Sequence, residues 1–407
     1  MRYGLLGRKL SHSYSPQIHT ALAGYAYDLI EIEPENLEVF LQKKDFDGIN
    51  VTIPYKKAVL PYCDKLSDKA MRLGSVNTIV KMPNGTLLGH NTDYFGFQQT
   101  VIESGLNVCD KKILVLGSGG AGVTVSTVLS DMVAKVITIS RHGQNNYDNL
   151  HLHTDASIIV NATPVGMYPN NGASPIDLSL FPKLEGVFDL IYNPSKTEFL
   201  LQAEDLGIVA QNGLYMLVAQ AKESAEYFIG SPIENEAIRK VYTRLKQQME
   251  NIVLIGMPGS GKTTIGKALS RTLNREFVDT DDLIIQRIGM SIPSYMKQFG
   301  LERFREVETA VIQDVTKQSG LVIATGGGCV TRKDNFNALR QNSQVIWIQR
   351  EIKNLPTEGR PLSQNTSLKD MYEARKPLYS QLADITITNN GCIDEAVSAI
   401  CKLYTGG

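Results

Sequence analysis

Residues 256–263 read Gly-Met-Pro-Gly-Ser-Gly-Lys-Thr and fit the pattern GxxxxGK[ST] at every fixed position. The apolar run at 252–255 predicts a buried strand before them, and the following sequence predicts a helix over Lys262–Leu273. Glycines in such a loop let backbone N–H groups point at phosphate oxygens, and the helix N-terminus adds a favourable dipole. We therefore predict a nucleotide-phosphate loop, with Lys262 against the β- and γ-phosphates and Thr263 as a ligand of Mg²⁺.

Short apolar runs alternate with helical patterns along the rest of the chain. Several runs, such as ILVL at 113–116 and IVLI at 252–255, are continuous, which is typical of strands buried on both faces of a parallel sheet. We therefore predict an α/β fold. The predicted strands are 48–53, 112–116, 136–140, 157–161, 187–191, 252–255, 321–324, 345–348 and 385–388.

The composition excludes several classes of protein. Of the 407 residues 43% are hydrophobic and 20% charged, and the net charge is −1, as in a folded chain of about two to four domains. Nothing in it indicates a nucleic-acid surface, a membrane span or a signal peptide. Five cysteines without a CxxC pair favour a reducing, cytoplasmic compartment. We expect a domain boundary near Met249, where a helical stretch meets the next strand.

Charged residues and glycines after the phosphate loop indicate the acceptor of a phosphoryl group. Asp279 and Asp281 lie two positions apart at a predicted strand end, so both face one side. Arg305 and Glu308 share one helical face. Because arginine forks onto carboxylates, arginines near a bare glycine backbone suit a small anionic acceptor. The glycines and the other arginines that carry this interpretation are Gly326, Gly327, Gly328, Arg360 and Arg375.

From Asn251 to about Tyr404 the chain resembles shikimate kinases. The P-loop, DTD, FREVE, the triple glycine, GRPL and ARKPLY occur in the order of that family. The resemblance implies a P-loop domain over 251–407, similar to nucleoside-monophosphate kinases, that uses ATP with Mg²⁺. One segment departs from the family: EIKNLPTEG, before RPL, is several residues shorter than usual. It has no match for the family's adenine-stacking arginine, although Lys353 falls nearby.

The kinase resemblance also implies a role for individual residues. Asp281 would hold the shikimate hydroxyls and act as the base, with Lys262 as a second catalytic residue. Thr263 and Asp279 would organise Mg²⁺. The implied ATP-binding residues are Gly259, Ser260, Gly261, Lys262, Thr263, Thr264 and, from a lid, Arg360. The implied shikimate-binding residues are Asp281, Gly326, Gly327, Gly328 and, at the carboxylate, Arg305 and Arg375.

A second glycine loop, Gly117-Ser-Gly-Gly-Ala-Gly122, fits GxGxxG and follows the predicted strand 112–116. In a dinucleotide-binding fold, an acidic residue about 20 positions further on favours NAD by holding the ribose hydroxyls. Here the next strand ends in Ser140-Arg141-His142, and a cation at this point favours the 2′-phosphate of NADP. We therefore expect Arg141 to select NADP.

Residues that suit proton transfer lie upstream of this loop. NVTIPYK ends in Lys56, GSVNT holds Asn77, and HNTD holds Asn91 and Asp93. A lysine beside an aspartate can move a proton to a carbonyl oxygen while a hydride arrives on carbon. The sequence alone also permits two unrelated surface charges.

From Arg2 to about Gly230 the chain resembles shikimate dehydrogenases. The shared motifs are SHSYSP, NVTIPYK, VNT, NTD, GSGGAG, NATPVGM, DLIYNP and MLVAQA, while SRH stands where many members have NRT. The resemblance implies a two-lobed enzyme. Residues 1–100 would form the lobe that binds shikimate or 3-dehydroshikimate, with a return helix over 221–247. Residues 101–220 would form a Rossmann lobe that binds NADP.

The dehydrogenase resemblance implies that Lys56 and Asp93 form the proton-transfer pair. The implied substrate-binding residues are Ser13 and Ser15 at the carboxylate, and Thr52, Asn77, Asp93 and Gln220 at the ring hydroxyls. The implied NADP-binding residues are Gly117, Gly119, Gly120, Ala121, Gly122, Arg141, Thr163, Met167, Tyr192 and Gly213.

The two resemblances concern the same molecule, since the hydroxyl made by the reductase is the one that the kinase phosphorylates. We therefore expect a fusion of consecutive steps toward chorismate and the aromatic amino acids, with 3-dehydroshikimate, shikimate, NADPH and ATP as its partners. Two alternatives stay open. The first half could be a quinate or shikimate dehydrogenase that uses NAD, or one half could be inactive. A monomer and a homodimer both remain compatible with the sequence.

Overall fold

The computed structural model of the chain describes residues 2–10, 13–355 and 367–405. The chain forms two compact units. The first contains the described chain up to Gly166, together with Ala173–Tyr192 and Gln202–Arg244. The second contains Met167–Gly172, Asn193–Leu201 and the described chain from Leu245 onward. The limits of the three domains given above stay predictions.

The first unit contains a mixed sheet of six strands. Its strands are β1 (Tyr3–Gly7), β2 (Tyr27–Glu31), β3 (Gly48–Val51), β4 (Lys65–Leu66), β5 (Thr78–Lys81) and β6 (Leu87–His90). Their order is β2-β1-β3-β5-β6-β4, with β5 antiparallel to both of its neighbours. The sheet's hydrophobic core includes Phe46, Ile49 and Ile79. The helices of this part are α1 (Ser15–Ala23), α2 (Leu37–Lys43) and α3 (Asp68–Leu73), with 3₁₀ helices at Pro34–Asn36 and Leu60–Tyr62.

A second, wholly parallel sheet in the same unit carries the GxGxxG loop. Its strands are β7 (Lys112–Leu116), β8 (Lys135–Ile139), β9 (Ile158–Asn161), β10 (Gly186–Asp189) and β11 (Val209–Gln211), in the order β11-β10-β9-β7-β8. The strand order reverses beside β7, and such switch points open a crevice at the carboxyl ends of the strands. The loop after β7 therefore lies where a dinucleotide binds in this kind of sheet.

Five further helices are described before the third sheet, and those at 198–205 and 236–249 have residues in both units. They are α4 (Asp93–Ser104), α5 (Gly120–Asp131), α6 (Glu198–Asp205), α7 (Leu214–Ile229) and α8 (Glu236–Met249), with 3₁₀ helices at Tyr147–His153 and Leu178–Leu180. Helix α7 packs along α4 and α1. Residues 221–247 belong to two helices, because Gly230 adopts a left-handed backbone (φ 68°) that ends α7.

The second unit is built around a parallel sheet of five strands. They are β12 (Asn251–Ile255), β13 (Phe277–Asp279), β14 (Val322–Ala324), β15 (Ser343–Gln349) and β16 (Ile385–Thr388), in the order β13-β14-β12-β15-β16. Every residue of β12 is buried. The GxxxxGK[ST] loop leaves the carboxyl end of this central strand, and the helix predicted after it begins and ends at the expected residues.

Helices of the second unit cover its sheet. They are α9 (Lys262–Leu273), α10 (Thr280–Ile288), α11 (Ile292–Val315), α12 (Asp334–Gln341), α13 (Leu368–Leu382) and α14 (Ile393–Thr405), with 3₁₀ helices at Cys329–Thr331 and Ile352–Asn354. A kink interrupts α11 at Gly300. In the parts of the chain that the structure describes, no helix is long and apolar enough to cross a membrane.

The predicted α/β fold is confirmed. All nine predicted strands are present, and their ends differ from the prediction by at most two residues. The strands at 113–116 and 252–255 are buried on both faces, which explains their continuous apolar runs, whereas the strands at 135–139 and 385–388 are partly exposed.

Candidate active sites

The phosphate loop of the second unit folds around its lysine. Lys262 is buried, and its Nζ donates to the carbonyl oxygens of Gly256 (2.9 Å) and Met257 (3.0 Å). Gly261 adopts φ 101°, and a Cβ there would lie 2.5 Å from Nδ2 of Asn389, so only glycine fits. The loop therefore keeps its cation at the first turn of α9, where a phosphate would meet backbone N–H groups.

Two of the predicted magnesium ligands lie next to each other. Thr263 Oγ1 donates to Asp279 Oδ2 at 2.8 Å, at the carboxyl edge of the sheet. The local geometry differs from the prediction, because only Asp279 lies on the strand. Its Oδ1 accepts from the backbone N–H of Asp281 (3.0 Å) and caps α10, so Asp281 lies in the first helical turn and strand alternation does not align the two.

A cavity of about 410 Å³ opens beside this loop. Lys262 and Asp281 line it, together with two buried arginines, Arg305 and Arg375. The other polar and glycine residues that line it are Thr263, Asp279, Ser291, Glu308, Thr325, Gly259, Gly326, Gly327 and Gly328. The structure therefore brings together most of the predicted kinase residues, whereas Arg360 lies outside the described residues. Ser260 and Thr264 lie in the loop and in α9, and Thr264 is exposed.

The arginines of this cavity are held in place by specific contacts. Arg305 is 8% exposed and pairs with Glu308, which is 1% exposed, at 2.5 Å. A Cβ at Gly328 would lie 2.1 Å from the Arg305 guanidinium, which explains the bare backbone at this point. Arg375 donates to the carbonyl oxygen of Gly327 at 2.9 Å. Both cations are thus fixed before any anion binds.

Burial affects the acidic groups of this cavity. It raises the pKa of Asp281, and the neighbouring charge of Asp279 adds to the increase. Burial likewise raises the pKa of Glu308, against the opposing effect of Arg305. A carboxyl group with a raised pKa is a better proton acceptor, so Asp281 suits a general base facing a substrate hydroxyl.

The first unit brings Lys56 and Asp93 together. Lys56 Nζ lies 2.6 Å from Asp93 Oδ2, and the two side chains are 33% and 19% exposed. Asn77 Nδ2 donates to Asp93 Oδ1 at 2.9 Å, and the Asp93 N–H donates to Asn91 Oδ1 at 3.2 Å. The pair is therefore partly open to ligand and oriented by neutral amides.

Neutral polar side chains supply the other predicted contacts of this site. Ser13 Oγ donates to Ser15 Oγ at 3.1 Å at the start of α1. Gln220, on α7, lies 3.5 Å from Asn77 Nδ2. Thr52 follows β3 and is half-buried. The hydrogen bonds therefore bring Lys56, Asn77 and Asn91 to Asp93, whereas those of Ser13 and Ser15 link these two residues to each other.

The loop after β7 has the form that a dinucleotide needs. Gly117 adopts φ 107°, and a Cβ at Gly122 would lie 2.0 Å from its carbonyl oxygen, so the turn requires glycine. At Gly119 and Gly120 a Cβ would meet no atom within 4 Å, which leaves open space over the N-terminus of α5. Arg141 is exposed directly after β8. The residues present therefore fit a pyrophosphate and a 2′-phosphate.

The remaining predicted cofactor residues occupy different surroundings. Thr163 Oγ1 donates to Asn161 Oδ1 at 2.7 Å after β9, and Ala121 is exposed in α5. Burial raises the pKa of Tyr192. A Cβ at Gly213, before α7, would lie 2.1 Å from the carbonyl oxygen of Leu190. Met167 is exposed, in a short segment that groups with the second unit.

Arg350 is a residue near the phosphate loop that the sequence motifs do not indicate. Its guanidinium donates to the carbonyl oxygen of Gly259 at 3.3 Å, and it lines a second cavity, of about 530 Å³, with Lys353 and Tyr372. Lys353, which the sequence analysis noted, pairs with Glu351 at 2.7 Å. The position of Arg350 directly after a strand next to the loop strand is the signal that would have identified it.

Comparisons with known proteins agree with this geometry. The Shikimate kinase family matches residues 258–404, and the Shikimate dehydrogenase substrate binding domain matches residues 5–79. A shikimate dehydrogenase (NADP(+)) of Clostridium beijerinckii is 34% identical over 269 residues, which cover 61% of this chain and 99% of that protein. The chain belongs to the shikimate dehydrogenase family, and it carries a shikimate kinase domain as well.

Solved structures extend the dehydrogenase match. A chorismate mutase/shikimate 5-dehydrogenase fusion protein from Clostridium acetobutylicum is 36% identical, with a TM-score of 0.57, and the match covers 60% of this chain and 97% of that chain. Shikimate 5-dehydrogenase from Thermus thermophilus, in complex with NADP(H) and shikimate, is 31% identical, with a TM-score of 0.55, over 60% of this chain and 99% of that chain. Both predicted resemblances are confirmed, and the chain is a bifunctional enzyme of the shikimate pathway with an oxidoreductase and a kinase domain.

Proposed function

We propose that this chain reduces 3-dehydroshikimate to shikimate with NADPH and then phosphorylates the new 3-hydroxyl with ATP and Mg²⁺. The observation that carries the proposal is that each half holds an assembled polar site suited to its step. These are the Lys56–Asp93 pair in the first half and the cavity between Lys262, Arg305 and Arg375 in the second.

The first step needs a proton donor at the carbonyl oxygen. NADPH would supply the hydride from the glycine loop after β7, with Arg141 at its 2′-phosphate. Lys56 would donate its proton to the ketone oxygen, and Asp93 would hold the ammonium in place and accept from a ring hydroxyl. Ser13 and Ser15 would bind the substrate carboxylate. Asn77, Thr52 and Gln220 would fix the ring by its hydroxyls.

The second step needs negative charge to be neutralised around a transferred phosphoryl group. ATP would supply that group, with Lys262 at the β- and γ-phosphates and Thr263 and Asp279 at the magnesium ion. Arg305 and Arg375 would hold the carboxylate, while Asp281 would accept the proton of the attacking hydroxyl. A cavity of about 410 Å³ suits a small carboxylated ring beside the terminal phosphate.

A one-pot reaction tests the proposal. Purified protein is mixed with 3-dehydroshikimate, NADPH, ATP and Mg²⁺, and the products are identified by mass. We expect shikimate 3-phosphate, shikimate alone when ATP is omitted, and neither product when NADPH is omitted. Shikimate that accumulates in the full mixture would contradict the kinase step, and unreacted 3-dehydroshikimate would contradict the reductase step. Parallel assays with quinate and NAD⁺ test the alternative, which faster turnover of that pair would favour.

A further inference from the structure

A buried chain of hydroxyls and amides lies behind the Lys56–Asp93 pair, and it begins at Asn77. The backbone N–H of Thr92 donates to Asn77 Oδ1 at 2.8 Å. An N–H group can only donate, so the amide oxygen must face Thr92 and the NH₂ group must face Asp93. Asp93 therefore receives a hydrogen bond from Asn77 only while the amide keeps this orientation.

Ser224, on α7, anchors the far end of this chain. Its hydroxyl donates to the carbonyl oxygen of Gln220, one helical turn earlier, at 3.0 Å. Its oxygen accepts from Asn50 Nδ2 at 2.8 Å and lies 3.0 Å from Thr92 Oγ1. Tyr27 donates to Asn50 Oδ1 at 2.7 Å, which fixes the orientation of that amide as well. Ser224 thus accepts from the Asn50 amide and from the Thr92 hydroxyl.

Thr78 Oγ1 also lies 2.9 Å from Ser224 Oγ, but a Thr78 proton placed there would leave Thr92 to donate to Asn77 Oδ1 over the longer distance of 3.2 Å. We therefore assign the protons as follows. The Thr92 hydroxyl donates to Ser224, which leaves Thr92 Oγ1 free to accept from Asn77 Nδ2 at 3.0 Å. The Thr78 hydroxyl donates to Asn77 Oδ1 at 3.0 Å and accepts from Asn50 Nδ2 at 3.0 Å. Ser224 is therefore the acceptor of the Thr92 proton, which would otherwise be donated to Asn77 Oδ1.

The chain is sealed from solvent. Thr78, Thr92 and Ser224 are fully buried, and Asn50 and Asn77 are 5% and 3% exposed. In such surroundings water cannot replace a lost hydrogen-bond partner. A hydroxyl that loses its acceptor therefore donates to another acceptor nearby. Without Ser224, the Thr92 hydroxyl would turn to Asn77 Oδ1 at 3.2 Å or to Gln220 Oε1 at 3.3 Å, both of which belong to the site.

We propose that Ser224 is a positioning residue for the reduction, which acts through Thr92 and Asn77 on the carboxylate of Asp93. This inference rests on the proposed dehydrogenase function. The described hydrogen bonds of Ser224 are to Asn50, Thr78, Thr92 and Gln220, and none of them is to Lys56 or Asp93. Its effect reaches the reaction through Thr92, whose oxygen can accept from Asn77 Nδ2 while Ser224 accepts the Thr92 proton.

The test compares three single variants of the full chain in the reduction of 3-dehydroshikimate. Ser224→Ala removes the acceptor. Ser224→Cys keeps a side chain of the same shape, with a slightly larger thiol that is a weak acceptor. Thr100→Val is the matched control, because Thr100 is a buried hydroxyl on α4 that donates only within its own helix, to Gly96, at 2.8 Å. Kinase turnover of the same preparation checks that equal amounts of protein are compared.

For Ser224→Ala we expect kcat to fall about tenfold and the solvent deuterium isotope effect on kcat to rise, because proton transfer becomes the slower step. Loss of active protein would lower kcat without changing an isotope effect, so this ratio separates positioning from stability. Ser224→Cys should lie between Ser224→Ala and wild type, and Thr100→Val should stay within about twofold of wild type.

Two results would overturn the inference while leaving the proposed function intact. One is a Ser224→Ala or Ser224→Cys enzyme whose kcat and isotope effect match those of Thr100→Val. The other is a fall in kcat at an unchanged isotope effect. If Ser224→Ala does not fold, Ser224→Cys decides alone. A wild-type preparation that does not reduce 3-dehydroshikimate at all would instead contradict the proposed function.

Discussion

The two candidate sites of this chain are lined by different kinds of side chain. Around Lys56 and Asp93 the neighbours are serines, threonines and amides, and the charged pair is 33% and 19% exposed. In the second unit the pair Arg305–Glu308 is 8% and 1% exposed, and a further arginine and a lysine line the same cavity. The first site thus relies on neutral hydrogen bonds, and the second on buried charge.

The reaction at each site explains this difference. Reduction of a ketone by a hydride needs one proton at the oxygen, so a single lysine with a carboxylate would suffice, and hydroxyl groups could bind the carboxylate of the ring. Phosphoryl transfer gathers several negative charges in one place, and cations must be fixed there beforehand. Buried cations need partners, since an unpaired buried charge costs about 3–5 kcal/mol. This need accounts for Glu308 beside Arg305.

The largest effect is expected from Lys56→Ala. We predict that reduction of 3-dehydroshikimate slows about 10²–10⁴-fold, the usual contribution of a general acid, while phosphorylation of shikimate is unchanged. NADPH oxidation measures the first activity, and coupled release of ADP measures the second. Lys57→Ala is the matched control, because Lys57 is its exposed neighbour in the sequence. Equal reductase rates in the two variants would show that Lys56 is not the proton donor of the reduction.

The reciprocal variant, Lys262→Ala, should slow the kinase about 10²–10³-fold and leave the reductase unchanged, because it removes a charge that is fixed before phosphate binds. Steady-state ADP release at saturating shikimate measures the loss. Lys267→Ala is the matched control, because it removes an exposed lysine of the same helix and so gives a variant with the same net charge. A Lys262→Ala enzyme as fast as Lys267→Ala would contradict the assignment of the loop.

The sequence could predict those parts of the two sites whose residues lie close together in the chain. The phosphate loop and its helix are local, so glycine spacing was enough. Asp281 was placed on a strand because the sequence does not show that Asp279 caps a helix. Ser224 lies 132 positions from Thr92 in the chain, and no pattern links residues that meet only through folding. The apolar runs could predict the strands, but not the polar partners between them.

A smaller effect should follow Arg141→Ala, which tests how much fixed charge the first unit uses for its cofactor. Arg141 is exposed, so it would bind a phosphate without the buried partner that Arg305 has in Glu308. We predict that KM for NADPH rises about 10- to 100-fold, the range for one charge-assisted hydrogen bond, and that KM for NADH changes much less. His142→Ala, next to it and also exposed, is the control. Equal changes for both cofactors would point to dual use or to NAD.

The smallest effect is expected on the free energy of unfolding of the first unit, from a carboxyl group that is largely buried there. Glu223 precedes Ser224 on α7 and is 14% exposed, and its only described ion pair is with Lys69, at 3.6 Å. Burial raises its pKa from 4.5 to about 7, although Lys69 opposes the change. Below about pH 4.5 the group is protonated in both the folded and the unfolded chain, so it does not affect stability there. Between about pH 4.5 and 7 only the folded state keeps the proton, so stability falls as the pH rises, and above that range the full loss persists.

Glu223→Gln should therefore stabilise the first unit by about 1–3 kcal/mol at pH 8 and by much less at pH 5, with dehydrogenase turnover as the probe of urea unfolding. Exposed Glu234→Gln supplies the control for a change of net charge. A gain of the same size at both pH values would mean that Glu223 is not protonated in the folded state. The comparison of the two units would then change, because the first unit would hold an ionised carboxylate beside the hydroxyl chain at pH 5 as well as at pH 8.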